Sequence, residues 1–314
     1  MDPWGRSGAT DREARLTNVD EPEAGWPRGE APVAVVMIAL NEAHNMEAVL
    51  ANLKGWAQEI FLVDSYSSDG TVDIALKQGV HVVQRAFRGF GDQWNFALRE
   101  LPIVAAWTMK LDPDERITDE LKREIVEAAR SQPADGFTCP IRLHFMGRPL
   151  PIRLRLTRLW RTRAARFSEV EVNEHAQVDG SVCALTSDIE HHDSPDLHHW
   201  LEKQNRYTTA EAVAAFEGRK LADEPRFFGT ALQRRMWIKK HYMKLPFRYV
   251  AMFLYHYVAL GAWRAGWVGY AWSRLRCDVY RLWEYKLREI RITGRLPLKR
   301  PAGPGQPDPR VRQY

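Results

Sequence analysis

The stretch Val33–Asp64, "VAVVMIALNEAHNMEAVLANLKGWAQEIFLVD", decides the fold. It opens with an unbroken β-rich apolar run from Val33 to Leu40, the composition of a strand covered on both faces. "NMEAVLANLKGW" then spaces its apolar residues as a helix does, and "EIFLVD", Glu59–Asp64, is a second buried strand. Polar residues close both strands: Asn41 and Glu42 follow the first, and Asp64 ends the second.

The alternation continues outward. "SYSSDGT" is a turn in which Asp69 or Thr71 can cap the next helix, "VDIALKQG", and the glycine stops that helix. "VHVVQRAF" reads as a third strand, "GDQWNFALREL" as a helix, and "AAWTMKLD" as a fourth strand ending at Asp112. Strands alternating with helices predict an α/β domain with a mostly parallel central sheet, and ligands of such sheets lie at the carboxyl ends of the strands. Glu42, Asp64 and the cluster Asp112, Asp114 and Glu115 all fall there. Asp112 and Asp114, one residue apart, can direct both carboxylates into one site, where hard oxygen donors suit Mg²⁺ or Mn²⁺ shared with substrate phosphates. Alone, an Asp-x-Asp is more often a solvated turn before a helix; its place at the end of a buried fourth strand favours the cation site.

After the amphipathic helix "DELKREIVEAARSQ" the pattern changes. "GFTCPIRLHFMGRPLPIRLRLTRLWR" reads as short strands and arginine-rich turns, "LHHWLEKQNRYTTAEAVAAFEGRKL" as a long helix, and "VYRLWEYKLREIRI" as a last one. Residues 1–31 read as a disordered leader, 32–225 as the catalytic domain, 226–292 as a basic aromatic helical region and 293–314 as a disordered tail.

With 314 residues, 45% hydrophobic and 27% charged, the chain can bury a full core. Cys139, Cys183 and Cys277 are scattered, which suggests neither a disulfide framework nor a cysteine zinc site and fits a reducing cytoplasm. The net charge is +5, yet Arg226–Cys277 holds ten Lys and Arg and no acid, so the basic character is local. The apolar run Tyr249–Trp263 inside that segment is shorter than the roughly 20 residues that cross a bilayer. It suits an interfacial helix pair, a nucleic-acid surface or plain helical core. The histidine pairs His191/His192 and His198/His199 raise a zinc reading, set aside because no cysteine lies nearby. Lys203, Arg206 and Tyr207 share a helical face that can hold phosphate or stand in solvent.

"VVMIALNEAHNMEAVLANL", "EIFLVDSYSSDGTVDIA", "FRGFGDQWNFAL" and "WTMKLDPDERIT" together resemble the nucleotide-diphospho-sugar domain of family 2 glycosyltransferases, and most of all the subgroup of the lipopolysaccharide core β-1,4-glucosyltransferase. The resemblance implies the GT-A fold and an inverting, metal-dependent transfer of a hexose from a nucleotide-diphosphate sugar, UDP-glucose-like, to a lipid-linked or saccharide acceptor of a bacterial envelope glycan. It implies that Asn41, Glu42, Asp64 and Asp112 seat the nucleotide, with Gln93 and Asn95 assisting. Asp114 then holds Mg²⁺ or Mn²⁺, with His191 a further ligand. Pro113 replaces the alanine usual between the two acids. Glu174, in "EVEVNEHAQVDG", matches the acceptor-deprotonating carboxylate. The same resemblance argues against nucleic acid as a partner and for a cytoplasmic protein peripheral on the inner membrane. Two alternatives stay open: a sugar nucleotidyltransferase, although "IALNEAHN" lacks the glycine-rich loop such enzymes carry after the first strand, and a non-catalytic membrane-binding module.

Overall fold

The computed structural model describes residues 25–167, 176–218 and 246–298, with single positions 226, 228, 229, 233, 234, 237 and 241 between the last two stretches. The first half follows the alternation in its sequence. β1 (Ala31–Ala39), α1 (Ala43–Leu53), β2 (Ala57–Asp64), α2 (Thr71–Lys77), β3 (His81–Gln84), α3 (Phe90–Glu100) and β4 (Trp107–Lys110) succeed one another. β3, β2, β1 and β4 lie side by side in that order, all parallel. Side chains of a strand alternate between faces, which explains the unbroken apolar run. Val33, Val35 and Met37 join one core with Met46, Val49 and Leu53 of α1 and with Ile125 of α4 (Asp119–Ser131). Ala34 and Val36 join a second core with Trp94 and Leu98 of α3 and with Trp160.

The second half makes the sheet mixed, although parallel pairings remain the majority among the described strands. "GFTCPIRLHFMGRPLPIRLRLTRLWR" forms one long hairpin, β6 (Gly136–Phe145) and β7 (Arg148–Arg161). Its turn, Met146–Gly147, has φ of 49° and 71°, the paired positive values of a tight two-residue hairpin. β7 runs antiparallel to β4. β11 (Ile189–His191) lies parallel to β6, and β5 (Glu115–Ile117) antiparallel to β11. With β10 (Val182–Ala184) beside β6, nine strands among the described residues make one mixed sheet. β8 (Ala165–Phe167) and β9 (Ala176–Val178) form a separate ribbon. The reversal matters for the site, because β5 returns beside β11 and sets the Asp112–Asp114 turn against His191, 77 residues beyond Asp114 in the chain.

Short strands need extra fastening, and two asparagines supply it. Asn52 of α1 donates Nδ2 to the Ile117 carbonyl at 3.0 Å and accepts the Ile117 N–H at 2.8 Å, acting as a pairing partner along the edge of β5. Asn95 of α3 does the same for Phe167 of β8, at 2.9 and 2.8 Å.

Both ends of the domain differ from the sequence reading. The expected leader through residue 31 overlaps a packed segment: Trp26 is buried, its Nε1 donates to the Ala57 carbonyl at 3.0 Å, and its backbone N–H donates to Gly79 O at 2.9 Å. The indole contributes apolar area to the first core, which outweighs the Gly- and Pro-rich context around it. At the other end come α5 (Leu197–Phe216), α6 (Arg248–Leu254), a π-helical turn (Tyr255–Ala259), a 3₁₀ turn (Ala262–Ala265) and α7 (Gly266–Thr293). The apolar run Tyr249–Trp263 is therefore several short turns, broken at Gly261 with φ 76°. Phe145, Leu150 and Ile152 of the hairpin share a third core with Trp200, Ala262 and Trp272, so this region is packed onto the sheet. Gly269 permits it, since a Cβ there would stand 1.7 Å from the Ala262 carbonyl oxygen. No described helix is long and apolar enough to cross a membrane.

Asn52→Ala leaves both backbone groups of Ile117 without their partner, and we expect a loss of about 2 kcal/mol in urea unfolding. An unchanged midpoint would show that the β5 edge does not depend on this clamp.

Candidate active site

The site is built on the turn between β4 and β5. The Glu115 N–H bonds the Asp112 carbonyl at 2.9 Å and the Asp112 N–H bonds Glu115 Oε2 at 3.0 Å, closing the turn on itself. Arg158 of β7, 4% exposed, reaches across the sheet and donates Nη2 to Asp112 Oδ2 at 3.1 Å and to Glu115 Oε1 at 2.5 Å. Burial works against charge on Asp112, but Lys110 and Arg158 outweigh it and hold the carboxyl below its ordinary range. Glu115 is more deeply buried, and burial pushes it up to about 7 against the pull of Arg158.

Asp114 faces a different set of partners. Its Oδ2 lies 3.1 Å from His191 Nε2 and 3.4 Å from the Lys203 ammonium. Burial opposes its charge, yet His191 and Lys203 together keep it far below the usual carboxylate range. His191 responds in kind. Burial lowers it, and Asp114 and Asp193 override that to raise it to about 9. Lys203, on α5, also bonds Asp193 Oδ1 at 2.8 Å and the Asp193 carbonyl at 3.2 Å. One ammonium thus sits between two carboxylates, and donor atoms of Asp114, His191 and Asp193 all lie within 4.8 Å of one another.

The end of β1 closes the other side. Glu42 is anchored by its N–H to Thr71 Oγ1 at 2.8 Å and accepts Asn45 Nδ2 at 2.8 Å. Burial, and then the charge on Asp114, push it up to about 7, which places it in the field of the cluster. Asn41 takes a left-handed φ of 57° and holds the next loop by accepting the Ser68 N–H and donating its own N–H to Ser67 Oγ, both at 2.8 Å. Asp64, fully buried, accepts the Ser67 N–H at 2.8 Å, the Ser67 hydroxyl, and Gln84 Nε2 at 2.9 Å. Its carboxylate is the post around which Ser65–Ser68 is wound.

The expected donor-seating residues thus divide. Asn41, Glu42, Asp64 and Asp112 all stand at strand ends, and Glu42 and Asp112 belong to the acid cluster. Gln93 and Asn95 spend their amides elsewhere: Gln93 bonds Ser65 Oγ at 3.2 Å and accepts Arg85 Nη1 at 2.6 Å, and Asn95 clamps Phe167. Glu174 lies outside the described residues. The histidine pairs do not form one centre. His191 joins Asp114, His192 faces Glu190, His198 is exposed, and His199 Nδ1 lies 3.0 Å from Ser194 Oγ. Arg158 and Asp193 escaped the sequence reading. Asp193 carried a usable signal, since in an extended segment it shares the face of His191, two residues back.

Residues 34–188 match the family model of Glycosyl transferase family 2. An uncharacterized glycosyltransferase of Rickettsia conorii is 27% identical over 209 residues, covering 61% of this chain and 73% of its own. One from Rickettsia bellii is 28% identical over 197 residues, covering 57% and 66%. Among solved structures, the mannosyltransferase PcManGT from Pyrobaculum calidifontis, in complex with GDP-Man and Mn²⁺, aligns with a TM-score of 0.48 and 16% identity over 85% of this chain and 91% of that one. S. aureus TarS 1–349 in complex with UDP-GlcNAc aligns with a TM-score of 0.43 and 15% identity, over 82% and 91%.

Arg158→Met strands the buried Glu115 and the partly exposed Asp112, and we expect it to cost about 3 kcal/mol in chemical unfolding. Adding Glu115→Gln should restore at least half of the loss; no restoration would mean that Arg158 acts through packing rather than charge.

Proposed function

We propose that this protein, which carries a glycosyl transferase family 2 domain over residues 34–188, transfers a hexose from a nucleotide-diphosphate sugar of the UDP-glucose kind to a saccharide acceptor, with inversion at the sugar carbon. One observation carries the reading: Asp114, inside that domain, gathers its donor atom with those of His191 and Asp193 just beyond it, and the two carboxylates share the Lys203 ammonium at the carboxyl ends of parallel strands. A buried cation between two carboxylates marks a place where positive charge is favourable. Two carboxylate oxygens and one imidazole nitrogen suit Mn²⁺, and Mg²⁺ less closely. Asp114 and Asp193 would hold the ion through oxygen and His191 through Nε2. When bound, it neutralises charge on the departing diphosphate.

The chain's own groups supply the rest. Arg206, one turn along α5 from Lys203, keeps a buried Nη1 without a hydrogen-bond partner, an opening for a phosphate oxygen. Asn41, Glu42 and Asp112 border the nucleotide, and Asp64 sets the loop that receives the base. Tyr66 lies in that loop with φ 61° and 47% exposure, and an exposed aromatic ring there would offer a face to a pyrimidine. Glu174 is the carboxylate assigned to take the acceptor's proton, on the face opposite the leaving group.

The acceptor we assign is a bacterial envelope glycan such as lipopolysaccharide core, reached from the cytoplasmic face of the inner membrane. Support comes from the C-terminal region, where Phe247, Val250, Leu254, Val258, Trp263 and Trp267 are all more than half exposed. The Arg264 guanidinium lies 5.3 Å from the Trp263 ring centroid. Exposed aromatics and a basic segment free of acids match an anionic lipid surface, with rings at headgroup depth and cations beside phosphate.

Calorimetry of UDP with the wild type should show binding that depends on Mn²⁺, weakened at least about 50-fold in Asp114→Ala. Equal affinity in that variant would sink the metal assignment. Glu174→Gln should keep UDP binding within about 3-fold while transfer falls at least about 100-fold; undiminished transfer moves the base elsewhere. In cosedimentation at low salt, Trp263→Ala with Trp267→Ala should weaken binding to phosphatidylglycerol vesicles about 10-fold or more, and an unaffected double variant would remove the membrane role.

A further inference from the structure

β11 has two faces, and the site uses one of them. His191 and Asp193 turn toward Asp114, so Glu190 and His192, the alternate positions, turn the other way. β6 meets them there. The parallel register pairs Glu190 with Arg142 and His191 with Leu143, and the next step sets His192 beside His144. The His192 N–H bonds the Asp114 carbonyl at 2.8 Å, so the extended pairing continues through this residue. The His144 and His192 rings lie 4.3 Å apart between centroids. Each presents Nε2 to a different oxygen of one carboxylate: His144 to Glu190 Oε1 at 3.7 Å, and His192 to Glu190 Oε2 at 3.8 Å.

These separations are too long for hydrogen bonds and slightly wider than a tetrahedral metal sets between its ligands. Ligands about 2.0–2.2 Å from zinc stand roughly 3.3–3.5 Å from each other, so shifts of a few tenths of an ångström close both histidine–carboxylate gaps, and the donor atoms of all three residues already lie within 4.8 Å of one another. A second observation points the same way: His144 Nε2 is buried and has no hydrogen-bond partner. Such a nitrogen, aimed at a carboxylate it does not reach, is a costly arrangement with nothing between them. The nearest guanidinium groups are committed elsewhere, Arg142 to Asp188 and Arg116 to the carbonyls of Pro113, Glu115 and Asn45.

We propose that His144, Glu190 and His192 bind one divalent ion of the zinc class, on the face of β11 opposite the acid cluster. Two imidazoles and a carboxylate select zinc or cobalt over Mg²⁺ and Mn²⁺. The side chains of His192 and Glu190 are 40% and 34% exposed, so the ion is open to solvent and keeps a fourth position for water. By tying β6 to β11 it would hold the segment from which His191 and Asp193 project. The site stands independently of the glycosyltransferase reading, because none of its three ligands takes part in that chemistry.

The test uses the full-length protein stripped with chelator, titrated with Zn²⁺ against a chromophoric competitor and with Co²⁺ by visible absorption. Expected are one tight Zn²⁺ equivalent per chain and a tetrahedral-type Co²⁺ spectrum. His192→Ala, at the exposed ligand, should weaken Zn²⁺ binding at least about 100-fold with unchanged far-ultraviolet circular dichroism. Asp114→Ala should leave it within about 3-fold, since that residue belongs to the other face. Absence of Zn²⁺ binding tighter than about 100 μM, full affinity in His192→Ala, or loss in Asp114→Ala with retention in His192→Ala would each overturn the proposal. His144→Ala serves as a second ligand variant, and His192→Ala alone decides if His144→Ala does not fold.

Discussion

The site depends first on compensating buried negative charge. Asp112, Asp114 and Glu115 fall within four residues at the end of a core strand, and a carboxylate removed from water without a partner is prohibitively costly. Besides Lys110, next to the turn in β4, three distant cations make it possible. Arg158 arrives from β7, His191 from β11 and Lys203 from α5, each positioned by an element far from the turn in sequence. Arg158 takes the two acids that face the sheet and leaves Asp114 to the other two cations. The division gives one structural half, fixed by a guanidinium fork, and one half whose partners can be exchanged for a ligand. Arginine suits the first task because its fork reaches both carboxylates at once.

The placement of those cations explains much of the remaining architecture. Asp188, just before β11, is clamped by Arg142 and by Arg153, so the strand that presents His191 is tied to both arms of the hairpin. Lys203 depends on α5, and α5 is held by α7: the Lys286 ammonium bonds the Asn205 carbonyl at 2.6 Å and the hydroxyls of Thr208 and Thr209 at 2.8 Å. α7 in turn carries Glu284, buried and bonded to Arg248 at 2.7 Å, which fixes α6 and its exposed Val250 and Leu254. Polar contacts at successive points along α7 and α5 thus brace the helix that carries the ammonium beside Asp114.

Legibility in the sequence followed the range of the interactions. The strands of the parallel half were readable because each is short, apolar and closed by its own turn, and the acids that end them mark the carboxyl edge without knowledge of their neighbours. β7 was not readable. Arg153, Arg155, Arg158 and Arg161 interrupt its apolar pattern, and their carboxylate and carbonyl partners lie 26 to 46 residues away, so a strand laced with ion pairs looks like a solvated turn. The amides of Gln93 and Asn95 illustrate another limit. Motif position put them near a donor, but only the fold shows that Asn95 completes β8 and that Gln93 supports the loop wound around Asp64. Trp26 was missed because flanking glycine and proline resembled a leader, while the partner that receives its indole N–H is the backbone of Ala57, 31 residues on.

The alternation along "EHHD", Glu190 to Asp193, makes these four residues a single inherited unit. Substitutions can alter one position at a time, but an insertion of one residue between Ile189 and Glu190 exchanges the two faces, delivering Glu190 and His192 to the acid turn and withdrawing His191 and Asp193 from it. Length drift, which surface loops elsewhere in the chain can absorb, is therefore closed to this strand. Variation among descendants of this sequence should accumulate as exchanges of residue type at fixed spacing here, and as changes of length only beyond Ser194.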